Sequence, residues 1–139
     1  MSRDIKFRAW DIQDKRLIID TQDFIPLKIT SIGVLKLDPS NKQDKWLLID
    51  RDRFILSQYI GLKDRNGIEI YEGDIVKIPN DWDKYGMTAG EIYEIYFAYG
   101  GFRLKPKYNK KGKGHWLDDG NDVTIIGNIY KNPELLKNE

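Results

Sequence analysis

The stretch Gln58 to Lys77, QYIGLKDRNGIEIYEGDIVK, constrains this chain more than any other. Asn66-Gly67 and Glu72-Gly73 are turn pairs, and they separate three short segments with strand-like character. Asn-Gly suits a two-residue hairpin loop, because both positions tolerate positive φ. Ile68 and Ile70 then share one face of the return strand, with Glu69 and Tyr71 on the other. A strand, a return strand and a third strand in twenty residues leave no room for a long helix. They point to a tightly turned antiparallel sheet.

The remainder of the chain repeats the pattern. Ile5 to Asp11 alternates with period two, and Arg16 to Asp20 returns after the polar turn Gln13-Asp14-Lys15. Trp10 falls on the polar face of that first strand, so it is expected to pack under something laid over it. Leu27 to Leu37 alternates in part, and Trp46 to Ile49 and Phe54 to Leu56 are short apolar runs. One helical turn is expected near Arg51 to Phe54. Asp81 to Ala89 reads as a loop. Gly90 to Ala98 is the longest alternating segment and is apolar on both faces, which predicts a central strand. Gly100-Gly101 is the expected turn into Phe102-Arg103-Leu104. His115 to Leu117 and Val123 to Tyr130 follow as strands. Asn132-Pro133 predicts an N-cap with Pro at the first helical position, and Leu135 and Leu136 are expected to pack the helical turn back on the sheet.

Strands separated by Gly-rich turns predict a mainly β protein (α+β at most), built as a small SH3-like β-barrel over residues 58–139 with an N-terminal β lobe over 1–57 packed on it. Seventeen aromatic residues (four Trp, eight Tyr, five Phe) supply a core for 139 residues. Basic and acidic residues nearly cancel, 23 against 22, so attraction to nucleic acid would need a local patch. The sequence has no cysteine, which excludes disulfides, thiolate metal sites and Cys nucleophiles. No apolar h-region follows Met1, and no apolar run approaches the roughly 18 residues of a membrane span. A soluble, cytoplasmic protein is expected, with no membrane partner.

Three segments carry a family resemblance. IKFRAWD near the start, YIGLKDRNGIEIYEGDIVK in the middle and IIGNIYKNPELL (Ile125 to Leu136) near the end resemble the YopX family, in the family's order. The chain departs at Ile60, where the family more often has Thr. The resemblance implies a small protein of a bacteriophage or prophage, acting inside a bacterial host cell. It implies no activity, since the family has no established catalytic residues. The marked residues also make sense as structure: Asn66-Gly67 and Glu72-Gly73 as turns, Asp74 as a hydrogen-bonding group for the tight backbone there, and Asn128 with Asn132-Pro133 as the terminal turn.

Candidate sites are few. Arg103 to Trp116, RLKPKYNKKGKGHW, holds Arg103, Lys105, Lys107, Lys110, Lys111 and Lys113 with no acid, and Tyr108 and Trp116 interleave. Cations hold phosphates and aromatic faces stack bases, so this stretch is the candidate nucleic-acid-binding surface. Its plainer reading is a solvated loop, with Asp118, Asp119 and Asp122 just downstream to offset its charge. His115 is the only histidine, and no nucleophile or orienting carboxylate is marked beside it. Asp118 to Asp122 lacks the EF-hand spacing and reads as a turn. Gly61, Gly67 and Gly73 form no phosphate loop. Trp10, Trp46, Tyr71 and Trp82 read as core between sheets before they read as a binding surface. No catalytic residue, metal or cofactor is expected. The expected function is that of a non-enzymatic interaction module. A homo-oligomer through open sheet edges is its first expected partner, and a host or phage protein another.

Overall fold

A computed structural model describes residues 4–19, 27–30, 33–37, 46–49, 51–79, 90–107, 115–117 and 122–137. Two compact units divide the chain, Met1–Gln58 and Tyr59–Glu139. Both are β structures, and the protein is mainly β as expected.

In the first unit, β1 (Phe7–Asp11) pairs antiparallel with β2 (Arg16–Ile18) on one side. On the other side it pairs with residues 54–58 of β6 (Phe54–Lys63). A second sheet is formed by β3 (Leu27–Thr30), β4 (Gly33–Leu37) and β5 (Trp46–Leu48), in that order and antiparallel throughout. Ala9, Ile18, Ile29 and Val34 are buried together, with Phe7, Ile49, Phe54 and Leu56 packed around them. The alternation in IKFRAWD thus places Phe7 and Ala9 toward this core. The helical turn expected before Phe54 is the 3-10 turn Arg51–Arg53.

In the second unit, residues 59–63 of β6 pair with β7 (Glu69–Tyr71). A five-stranded antiparallel sheet follows, in the order β11 (His115–Trp116), β10 (Gly101–Pro106), β9 (Ile92–Ala98), β8 (Asp74–Lys77), β12 (Thr124–Asn128). It is curled into a half-barrel. Val76, Ile78, Tyr93, Ile95, Leu104 and Val123 are buried together with Ile60 and Ile70. β9 is central, as its two-sided apolar pattern predicts. A bulge between Ile125 and Gly127 lets β12 bend against β8. The C-terminal segment ends in the 3-10 turn Pro133–Leu136, on which Leu135 and Leu136 are half-buried.

Four details differ from the sequence expectation. Phe54 to Leu56 is not a separate strand, because β6 runs unbroken to Lys63 and absorbs the strain at Gly61, at φ +92, with a register shift between Tyr59 and Lys63. The Asn66-Gly67 turn is not a two-residue loop with both residues at positive φ. Gly67 lies at φ +80, but Lys15 and Tyr99 are the only described non-glycine residues at positive φ. Asp64 N–H donates to Ile68 O (2.7 Å) and Gly67 N–H to Asp64 O (3.0 Å), which makes a three-residue loop closed by a left-handed Gly. The two-residue loop occurs instead at Tyr99-Gly100, at φ +53 and +82, so Gly101 already pairs with Ala98. Finally, Asn132 sits at the N-cap before Pro133, yet its side chain makes no cap bond; its Oδ1 accepts from Asn128 N–H at 3.3 Å.

Buried polar side chains organise the turns. Asp64 is 2% exposed; Oδ1 accepts from the N–H groups of Asn66 (2.8 Å) and Ile68 (2.9 Å), and Oδ2 from Ile125 N–H (3.0 Å). Asp74, also buried, accepts from Tyr71 N–H at 2.8 Å, the role expected of it. Asn128 accepts from Tyr130 and Lys131 N–H at 3.1 and 2.8 Å. Removing the Asp64 carboxylate leaves three backbone N–H groups without their acceptor, so Asp64→Ala should destabilise the protein by about 1–3 kcal/mol in urea unfolding. A Cβ at Gly127 would stand 2.5 Å from Asn132 Oδ1. Gly127→Ala should therefore cost about 1–3 kcal/mol in the same measurement, through overpacking.

Candidate functional site

The basic-aromatic stretch begins on β10, whose register across the sheet decides what its cations can do. Cα partners align Tyr96 of β9, Arg103 of β10 and Trp116 of β11 in one row, and Lys105 with Glu94 two residues along the strand. Arg103 is 8% exposed. Its Nε donates to Ala98 O at 3.1 Å and its guanidinium lies 5.3 Å from the centre of the Tyr99 ring. This arginine holds the Tyr99-Gly100 turn and is not presented to a phosphate. Lys105 Nζ lies 5.7 Å from the centre of the Tyr96 ring, a cation-π pair on the half-exposed side of the hairpin. Lys107 extends the strand through its backbone, with N–H donating to Ile92 O at 2.9 Å. Tyr108, Lys110, Lys111 and Lys113 lie outside the described residues. Trp116 and His115 are placed by backbone register only, His115 opposite Leu104. At the hairpin end, Phe97 and Tyr99 are 56% and 62% exposed, and Phe97 meets Phe102 edge-on at 5.2 Å.

A second polar cluster lies in the first unit, where the sequence marks no site. Asp11 is fully buried at the end of β1. Arg53 grips it with two bonds, Nε to Oδ1 at 2.9 Å and one terminal nitrogen to Oδ2 at 2.8 Å. The N–H groups of Gln13 and Asp14 add to Oδ1 at 3.0 and 3.2 Å. Asp14 also pairs with Arg53 at 3.1 Å, while Arg16 stands back at 3.9 Å from Asp11. The hydrogen bonds from Arg53 hold the Asp11 carboxyl below the usual range, and the same bonds raise Arg53. The arrangement is a two-toothed arginine–carboxylate clasp around the β1–β2 turn. A signal for it exists in the sequence, Asp11 followed by Gln13-Asp14 at Asx-turn spacing, but its long-range partner Arg53 carries none.

The other candidates resolve as structure or lie outside the description. Trp10 and Tyr71 are each 9% exposed, and Tyr71 packs on Tyr59 at 5.6 Å. Both are core residues. The side chain of Trp46 and all of Trp82 lie outside the described residues, as do Asp118 to Asn121. Buried Tyr93 donates its hydroxyl to Glu91 at 2.6 Å, and burial followed by that bond pushes its ionisation well above 10. Among the described residues no three His or carboxylate side chains gather as a metal site, and no helix is long and apolar enough to cross a membrane. One shallow depression, about 190 Å³, is lined by Lys77, Ile78, Pro79, Thr124 and Ile126. That is below the roughly 300 Å³ at which small-molecule pockets begin.

Comparison with known proteins bears on these features. The YopX protein family model matches residues 6–137. Protein EF1440 from Enterococcus faecalis, a crystal structure, is 28% identical and superposes with a TM-score of 0.58; the match covers 98% of this chain and all of that one. The yopX protein from Bacillus subtilis, also solved by X-ray crystallography, is 23% identical with a TM-score of 0.55, over 94% and 97% of the two chains. The second shows likeness of fold alone. No curated protein matches.

The clasp sets an acid limit. A carboxyl held below its unfolded value near 3.8 stabilises the fold at pH above that value, and the contribution disappears as pH falls through the lower, folded value. Urea midpoints measured from neutral pH down through this window should fall in the native protein. In Arg53→Met the midpoint should start lower at neutral pH and fall less steeply on acidification.

Proposed function

The chain belongs to the YopX family, and from that premise we propose that it is a non-enzymatic interaction module that associates with copies of itself. We place it, with its family, among bacteriophage or prophage proteins that act in the bacterial cytoplasm. The origin of both solved relatives in bacteria fits that setting.

One observation carries the reading. Trp10 pairs with Leu17 of β2 and with Ile55 of β6, so the three side chains form one apolar row on the face away from the Ala9 core. Leu17 and Ile55 are 36% and 38% exposed, and Ile19 just beyond is 58% exposed. Trp10 itself is buried, and the part of the row left in water, Leu17 and Ile55 with Ile19 beyond, presents a surface suited to a protein contact. The carboxylates support the same reading. Asp11, Asp64 and Asp74 are the buried acids of the described residues, and each accepts backbone N–H groups that hold a turn. A general base needs a lone pair free for substrate, and these lone pairs are engaged.

A second reading, nucleic-acid binding, draws on Lys105 and Lys107 leading into Lys110, Lys111 and Lys113. Tyr96 beneath Lys105 offers an aromatic face beside a cation. Against it stand the engagement of Arg103 in its turn and the Glu94 beside Lys105.

Sedimentation over a range of concentrations tests the first reading, with a concentration-dependent oligomer as the expected result; a monomer throughout would end it. Titration of labelled single-stranded DNA and RNA at low salt tests the second. Binding should weaken steeply as salt rises and drop in K110E/K111E/K113E. Affinity unchanged by salt, or no binding, would remove it.

A further inference from the structure

We infer that two copies of this chain join through the outer edge of β2, antiparallel about a two-fold axis at Ile18. The inference rests on the self-association reading above and names its surface. β2 ends its sheet: β1 covers one edge, and among the described residues no strand covers the other. An open edge offers a row of backbone donors and acceptors to another strand.

The pleat restricts how a second β2 can fit. Leu17 shares the face of Trp10, whereas Ile18 shares the face of Ala9 and is 5% exposed in the core. Residues opposite each other across an antiparallel pair share a face, so Leu17 can oppose only an odd-numbered residue of the partner strand. The register centred on Ile18 sets Leu17 against Ile19 of the second copy, and Ile19 against its Leu17. Both are exposed in the single chain. The row Ile55–Trp10–Leu17 would then continue through Ile19 of the other copy, and that copy's own Leu17–Trp10–Ile55 row would lie beside it, offset by two residues along the strand. Two half-exposed patches become one, shielded by neighbours on both sides.

The sequence is self-complementary in the same register. Arg16-Leu17-Ile18-Ile19-Asp20 reads basic, apolar, apolar, apolar, acidic, so the segment reversed against itself matches opposite charge at the ends and apolar groups between. The other face-preserving registers lack this match. Centring on Leu17 opposes Arg16 to Ile18, a charge against a core residue. The closed two-fold contact uses one surface twice, the commonest route to a homodimer.

Paired charge substitutions at the exposed positions test the register. L17K/I19K sets like charges opposite each other across the axis, and L17K/I19E sets opposite charges there, with the same loss of apolar area at both positions. Each variant is first checked for native circular dichroism and urea midpoint, then sedimented beside the native protein. The native chain should associate, L17K/I19K should associate more than about tenfold more weakly, and L17K/I19E should recover association in a salt-sensitive form. Native-strength association by L17K/I19K overturns the β2 interface while leaving self-association standing. Equal loss in both variants overturns the antiparallel register. A native chain that stays monomeric removes the self-association reading and the inference together.

Discussion

The Asp64 carboxylate is the point on which the second unit turns. It is buried, and a buried charge must find donors or be expelled. Its donors are three backbone N–H groups, two in its own loop and one on β12. The same side chain therefore shapes the β6–β7 hairpin and fastens the last strand of the sheet to it. Arg65 N–H donating to Val123 O at 3.0 Å adds a second fastening beside the first. Asp11 in the first unit, Asp74 and Asn128 repeat the device at other turns. In each, a short polar side chain takes over backbone donors that no ladder can reach.

Much of this fold was legible in the sequence, for a simple reason. Period-two alternation is a local property, and it marked β1 and β9 within two residues of where they lie, while the β-branched run marked β12. The Asp74 bond was legible too, since an acid beside Gly73 in a tight turn has few other uses. Asp64 was not, because Asn66-Gly67 is the louder signal and suggests a shorter loop. Only the bond to Ile125, distant in sequence, reveals what Asp64 does. The Tyr99-Gly100 loop was misplaced by one residue because Gly101 looks equally turn-like; Arg103 stacked on Tyr99 helps to hold the positive φ where it falls.

The candidate site divides in the same way. The sequence could group the cations of 103–116, but not show that Arg103 is spent on a carbonyl and a ring while Lys105 lies over Tyr96. Side chains two residues apart on one strand share a face, and their fates still differ with their neighbours on β9. The Arg53 clasp on Asp11 escaped the sequence for the opposite reason. Its two halves are 42 residues apart, and neither looks unusual alone. The apolar row around Trp10 was half visible: the tryptophan stood out on a polar face, but only pairing with β2 and β6 supplies Leu17 and Ile55.

The bond from Ile125 to Asp64 spans 61 residues, and this sets an order on how the chain is made. A ribosome delivers Asp64 long before Ile125. Through that interval the β6–β7 hairpin can form its own turn, but the second oxygen of Asp64 has only water for a partner. The core that encloses the carboxylate, including Val123, is still incomplete. Closure of the second unit is thus a late, non-local event that waits for the last strand to emerge. Until then the nascent sheet keeps an uncovered edge at β8, the side on which β12 will dock.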